Sequence, residues 1–436
     1  MVALNAAPRW PSAEVSNIEW ISLLVATVCP SPTPVPIDVK SSSGDVVRIA
    51  TNELVFLTPQ AARGTIPAQV QRTASAFAGW LTVSLCSDIY LPHERMMESF
   101  VKTDFEDLGE GDGGISFETD PVKHREVAKR MAPAFSMKNF KAKEPTLQYY
   151  IDLFVDKMKE IGGLEQGAEM RRWADWLSMD IAADMTYNRQ MNEMKDKAAI
   201  KVNLFGSITQ ITKKFPLLSP LMYLFIPPSI WLTMPRVMRI NSQEVQRRID
   251  RRDKTEHLDY FEHIIPADQP APSNKKQITH LEQIAGQLLV ASWEPVSNQF
   301  YSGIYFLLQN QDSYTLLAEE IRGAFQSYGE ITPDSVANLK FLQACLHETF
   351  RLHHNTADGL PRMSPGAIVV CQSSYFAAAR SSRFFADALK YRPQRWLSPE
   401  HPAYETKFKN DDLKGFHAIQ SRTSRLPRVS NRLGND

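Results

Sequence analysis

Two short motifs about forty residues apart restrict what this chain can fold into. Residues 341–352 carry apolar side chains three and four apart, which predicts an amphipathic helix. Glu348 and Arg351 form an i, i+3 pair on one flank of its apolar stripe. Downstream, Tyr391-Arg392-Pro393-Gln394-Arg395-Trp396-Leu397 cannot continue a helix, because Pro393 holds Arg392 extended. Arg395 is therefore expected in an ordered but irregular loop. A lone Glu-x-x-Arg is most often an exposed ion pair worth little. If the three charges are buried together, one carboxylate cannot satisfy two guanidinium groups without further acceptors.

The remaining sequence sets the frame. At 436 residues the chain is long enough for one large domain or two small ones. Its 49 basic and 49 acidic residues cancel, so no global electrostatic case exists for nucleic acid. Cys29, Cys86, Cys345 and Cys371 lack metal spacing and point to a reducing compartment without a disulfide frame; no metal cluster is expected. Ile18 to Cys29 is apolar over only about half the length of a membrane span, contains Glu19 and runs into a proline cluster.

In chain order, residues 1–44 read as irregular. Residues 46–50 and 53–57 read as two short strands. Residues 145–161 and 169–186 read as helices with apolar stripes, 277–309 as one long helix and 313–325 as another. Residues 63–87 have neither a clean period nor turn logic and read as an insertion foreign to the fold, such as translated unspliced message, or as a plain surface insertion of the kind loops tolerate. Residues 215–235 are the most hydrophobic stretch, but five prolines argue against a regular spanning helix. Their basic flanks suit a loop dipping into a membrane surface, with a buried hydrophobic loop as the alternative.

A helical Glu-x-x-Arg followed by Pro-x-Arg-Trp resembles the signature of the cytochrome P450 family, and the two motifs together carry that resemblance better than either alone. It implies a mainly α fold with a small β region, here expected to be incomplete at both ends. The domain is expected over residues 45–416, with the insertion at 63–87 and an aberrant polar tail at 417–436. The resemblance makes Glu348, Arg351 and Arg395 a buried structural triad. It implies a haem cofactor, dioxygen, electrons from an NADPH-dependent reductase and a small lipophilic substrate. The implied location is intracellular, at the cytoplasmic face of the endoplasmic reticulum membrane or in the cytoplasm. Likeness at Asp120-Pro121-Val122-Lys123-His124-Arg125-Glu126 and Ser364-Pro365-Gly366-Ala367 points to fungal members that oxidise secondary metabolites such as terpenoids or polyketides.

The same resemblance assigns site residues. His124 matches an aromatic or His position facing the haem propionates. The basic position four residues on is Ala128, so Lys129 or Arg130 is expected to serve instead, unless this basic run is a solvated face. The family's oxygen-binding Ala/Gly-Gly-x-acid-Thr corresponds to Ala291-Ser292-Trp293-Glu294-Pro295. Glu294 is then the catalytic acid, and Ser292 or Ser297 the nearest hydroxyl. Pro295, without an N–H, is expected to open the helix near Ala291, or equally to form an ordinary kink. The family's iron-ligating Cys has no counterpart: no Cys follows Cys371, and the polar tail reads as a frame shift near Phe416. Two functions follow: a monooxygenase hydroxylating a lipophilic metabolite, or an inactive relative that at most binds one.

Overall fold

The computed structural model describes residues 46–50, 53–56, 101–102, 114–165, 167–196, 228–354, 362–364, 370–373 and 375–413. The expected insertion at 63–87, the stretch 215–227 and the tail from 414 onward lie outside the described residues. In chain order the elements are β1 (Val46–Ala50), β2 (Glu53–Phe56), β3 (Val101–Lys102), α1 (Pro121–Met131), α2 (Met137–Ala142), α3 (Glu144–Ile161), α4 (Met170–Tyr187) and α5 (Glu193–Asp196). There follow α6 (Pro228–Asp250), α7 (Lys275–Gln309), α8 (Gln311–Ala324), α9 (Pro333–Val336), α10 (Lys340–Leu352), β4 (Arg362–Met363), β5 (Val370–Ser373) and α11 (Tyr375–Ala379). The two strands and five helices expected from the sequence fall within two residues of these bounds at each end.

Local chemistry sets many of the boundaries. Asp120 caps α1 by accepting from the Val122 amide at 2.8 Å, and Pro121 fills the first position, where no N–H is needed. Ser136 caps α2, and Thr332 with Ser335 forms a capping box on α9. Helix α4 ends on Asn188, whose positive φ of 53° is one that asparagine tolerates. The strands form one sheet in the order β1-β2-β5-β4-β3, with β2 and β5 parallel and the other pairs antiparallel.

Helix α7 is the axis of the helical layer. Its 35 residues span about 52 Å at roughly 1.5 Å each. It packs along α4 through Trp293, Met179 and Ala182, and Leu281, Ile284, Ala285 and Leu288 join Val245 and Ile249 of α6 in the main core. Two readings from sequence are corrected. Helix α7 continues through Pro295, with Trp293 before it packed on α4 and Ser297 after it hydrogen-bonded to Asp175 of α4. Residues 228–235 belong to α6 rather than to a loop: Pro228 stands in its first position, and Pro235 is accommodated within its run. Among the described residues, no helix is long and apolar enough to cross a membrane.

Two buried polar networks hold the layers together. In the first, Glu348, Arg351 and Arg395 have no exposed surface. Glu348 takes Arg351 Nη2 at 2.8 Å and Nε at 2.8 Å, Arg395 Nε at 3.2 Å, the Arg392 amide at 2.8 Å and Trp396 Nε1 at 2.9 Å. Arg351 also donates to the carbonyls of Ala379 and Ala388, both at 2.6 Å, and Arg395 pairs with Asp411. In the second, Asp184 of α4 accepts from the Tyr150 hydroxyl at 2.7 Å and meets His257 Nε2 at 2.8 Å. His257 Nδ1 faces the Leu258 carbonyl at 3.1 Å, and Asn188 binds the His257 carbonyl at 2.8 Å.

Each network gives a prediction. Glu348→Gln removes a charge from between two buried guanidinium groups and is expected to destabilise the fold by about 3–5 kcal/mol, read from denaturant unfolding. For His257, burial pushes the imidazole pKa down, but the Asp184 hydrogen bond and charge, with the Leu258 carbonyl and Asp259, raise it above the ordinary 6.5. A raised folded-state value means that the contribution is complete below about pH 6.5 and is lost as pH rises through the folded value. The melting temperature should fall across that window, and His257→Gln should flatten the fall; a wild-type profile without such a fall would contradict the protonated pairing.

Candidate functional site

The sheet edge places two cations side by side. In the β3–β4 pair Lys102 stands directly opposite Arg362. Like charges in that register repel, and Lys102 Nζ is turned to the carbonyls of Ile115 and Ser116, at 2.9 and 3.0 Å. His124, on α1, lies in the field of both: burial first, then Lys102 and Arg362, lower its pKa, with Glu118 opposing. Three elements distant in sequence thus converge on one half-buried, electropositive corner, suited to carboxylate or phosphate oxygens. Lys129 does not join it. It is exposed in the last turn of α1, five residues and therefore about 140° around the helix from His124. Lys102 and Arg362 were missed in the sequence because only strand pairing brings them to His124.

On helix α7, Ala291-Ser292-Trp293-Glu294 faces three ways. Trp293 is buried against α4. Ser292 hydrogen-bonds the phenol of Tyr260. That ring stacks on Phe135 at 5.0 Å and carries Lys143 Nζ 4.1 Å above its centroid. Burial pushes the Lys143 ammonium down to about 8, against the pull of Asp259. Tyr260 was not legible as a partner of Ser292, since nothing in its local sequence marks it. Glu294 is half-buried on the flank toward α4, where burial and then the charge of Asp175 raise its pKa. Ser297, which is buried, donates to Asp175. The segment therefore holds an acid that keeps its proton to higher pH than a free carboxylate, beside a second carboxylate held by a serine.

Among the described residues, no group of three His, Cys, Asp or Glu side chains is placed to hold a metal ion. Cys345 is buried in the apolar cluster of Leu317, Phe341, Ala344 and Leu397. Burial pushes its thiol up to about 12, so it is neutral at ordinary pH. Cys371 sits in β5, opposite Leu54 on one side and Arg362 on the other.

Comparison with known proteins fits this geometry. The family model for cytochrome P450 matches residues 92–413. Cytochrome P450 monooxygenase TwmD of Talaromyces wortmannii is 41% identical over 409 residues, covering 90% of this chain and 74% of the relative. Cytochrome P450 monooxygenase poxC of Penicillium oxalicum is 28% identical over 85% of this chain and 68% of its own length. A trichothecene C-4 hydroxylase of Trichoderma arundinaceum is 23% identical over 84% of this chain and 72% of its own length. With the helical layer, the small sheet and the buried Glu348–Arg351–Arg395 network, these similarities show that the chain belongs to the cytochrome P450 family.

Proposed function

We propose that this protein serves the oxidation of a small lipophilic metabolite in fungal secondary metabolism, by hydroxylation, with electrons supplied by an NADPH-dependent reductase. The observation that carries this reading is the 41% identity to a fungal P450 monooxygenase along nine-tenths of the chain. A relative named as a hydroxylase supports the reaction class. The hydrophobic stretch 215–235, with its basic flanks, supports contact with a membrane surface.

The family's cofactor is haem, and the chain's own residues meet its two ends differently. His124, Lys102 and Arg362 form an electropositive corner whose charge suits the ring's carboxylates. No described residue fits the iron. In this family an axial thiolate supplies the electron density that breaks dioxygen, whereas Cys345 is a buried neutral thiol and no Cys follows Cys371. That observation favours a second reading, in which the chain binds a lipophilic ligand without oxidising it. In either case Glu294, its pKa raised by burial and then by the charge of Asp175, is the group on α7 suited to hold and release a proton.

Reduced protein under carbon monoxide separates the two readings. A thiolate-type Soret band carries the oxidative one. A folded chain that takes up an apolar probe and shows no such band overturns it in favour of binding alone. For the acid pair, Asp175→Asn removes the like charge and should lower the pKa of Glu294, followed by carbon-13 titration of its carboxyl; an unmoved titration would show that burial alone sets it.

A further inference from the structure

A chain of hydrogen bonds starts at a phenol sealed in the core and ends near solvent. Tyr150 of α3 is 2% exposed, and its hydroxyl donates to Asp184 Oδ2 at 2.7 Å. The other carboxylate oxygen, Oδ1, meets His257 Nε2 at 2.8 Å, and the His257 side chain is 18% exposed. Asp180, one turn before Asp184 on α4, is already taken by the amides of Glu193 and Met194, at 2.8 and 3.0 Å. Asp184 is therefore the proton acceptor within reach of the phenol. Around Tyr150 stand other rings that release an electron readily. The ring of Tyr149 meets it edge-on at 5.1 Å, and Tyr149 is 42% exposed, with its hydroxyl 3.2 Å from Lys195 Nζ. Trp173 and Trp176, edge to face at 5.0 Å, belong to the same core cluster as Tyr150.

A phenol that loses an electron becomes a strong acid, so its oxidation is easy only where a base takes the proton in the same event. In water the solvent does this. Tyr150 has no such access. Burial, and then the hydrogen bond to Asp184, push its pKa up, so it is a neutral phenol at ordinary pH. We propose that Tyr150 is a redox-active tyrosine, which yields one electron by way of Tyr149 to a one-electron oxidant of the oxygen-radical or metal-complex class, and its proton to Asp184. The O–H bond of Tyr150 breaks, and an O–H bond forms on Asp184 Oδ2. Tyr150 becomes a neutral tyrosyl radical, Asp184 a carboxylic acid, and the oxidant is reduced by one electron. Return of an electron and the proton restores the phenol. His257 sets the pH range. Its Nδ1 faces the Leu258 carbonyl at 3.1 Å and Asn188 Nδ2 at 3.3 Å, and Asp259, paired with Arg248, adds its charge. Cationic His257 resists the arrival of a proton on Asp184, whereas neutral His257 does not. The site stores an oxidising equivalent and draws on neither the sheet corner nor Glu294.

The test applies a laser flash to the full chain with tris(bipyridine)ruthenium(II) and a cobalt(III) quencher, which generates a ruthenium(III) oxidant in solution. The tyrosyl radical is followed by transient absorption and by freeze-quench electron paramagnetic resonance. Wild type should give a long-lived tyrosyl signal that Tyr150→Phe removes. Tyr149→Phe, at a half-exposed position, should slow its formation. Asp184→Asn keeps an acceptor oxygen but no base, and should slow formation about a hundredfold. In wild type, formation should quicken as pH rises through the folded value of His257, which lies above 6.5, and His257→Gln should level that rise. No tyrosyl signal in wild type, or one of unchanged lifetime in Tyr150→Phe, overturns the inference. So does an unchanged rate in folded Asp184→Asn. Where Asp184→Asn fails to fold, the wild-type pH profile decides. A rise supports the inference and a flat profile overturns it, because oxidation without Asp184 as the base does not sense His257.

Discussion

The structure depends on balancing four buried charges. Arg351 and Arg395 bring two positive charges to a place with no exposed surface, and Glu348 alone leaves one uncompensated. The second negative charge comes from Asp411, sixteen residues beyond Arg395. Phe385 lies under both guanidinium groups, at 5.1 and 5.8 Å, and Phe408 lies 4.5 Å from Arg395. The charges are thus neutralised pairwise, and their faces are covered by rings rather than water. Because Arg351 also binds the carbonyls of Ala379, Ala388 and Lys390, and Asp411 accepts the Ala386 amide at 2.7 Å, the network fixes a stretch of chain that has little regular secondary structure.

That rigid block leaves the functional groups on other elements. The electropositive corner is built on the short β3–β4 edge and on α1, and the acid pair lies between α4 and α7. The Glu348 network ties α10 to the segment 379–411, whereas neither the corner nor the acid pair draws a residue from it.

Much of this was legible in the sequence where the signal is local. Helix α10 shows in its apolar spacing, the break at Pro393 in proline chemistry, and the need for an extra acceptor in the charge count of one Glu against two Arg. The identity of that acceptor was not legible, because an Asp in an irregular segment has no pattern to mark it. The partners of His124 failed for a related reason. Lys129 is near in sequence but on another face of α1, whereas Lys102 and Arg362 arrive through strand register. At Pro295 the local rule predicted an open helix, but packing along α4 overrides it.

The charge balance is tested most directly by a double-mutant cycle on Arg395→Met and Asp411→Asn, measured by denaturant unfolding. Each single change leaves a buried charge or dipole without its partner and should be costly, while the double change removes both and should recover much of the loss, giving a coupling energy of about 2 kcal/mol or more. Strictly additive effects would contradict the account, since Asp411 would then not be the group that neutralises Arg395.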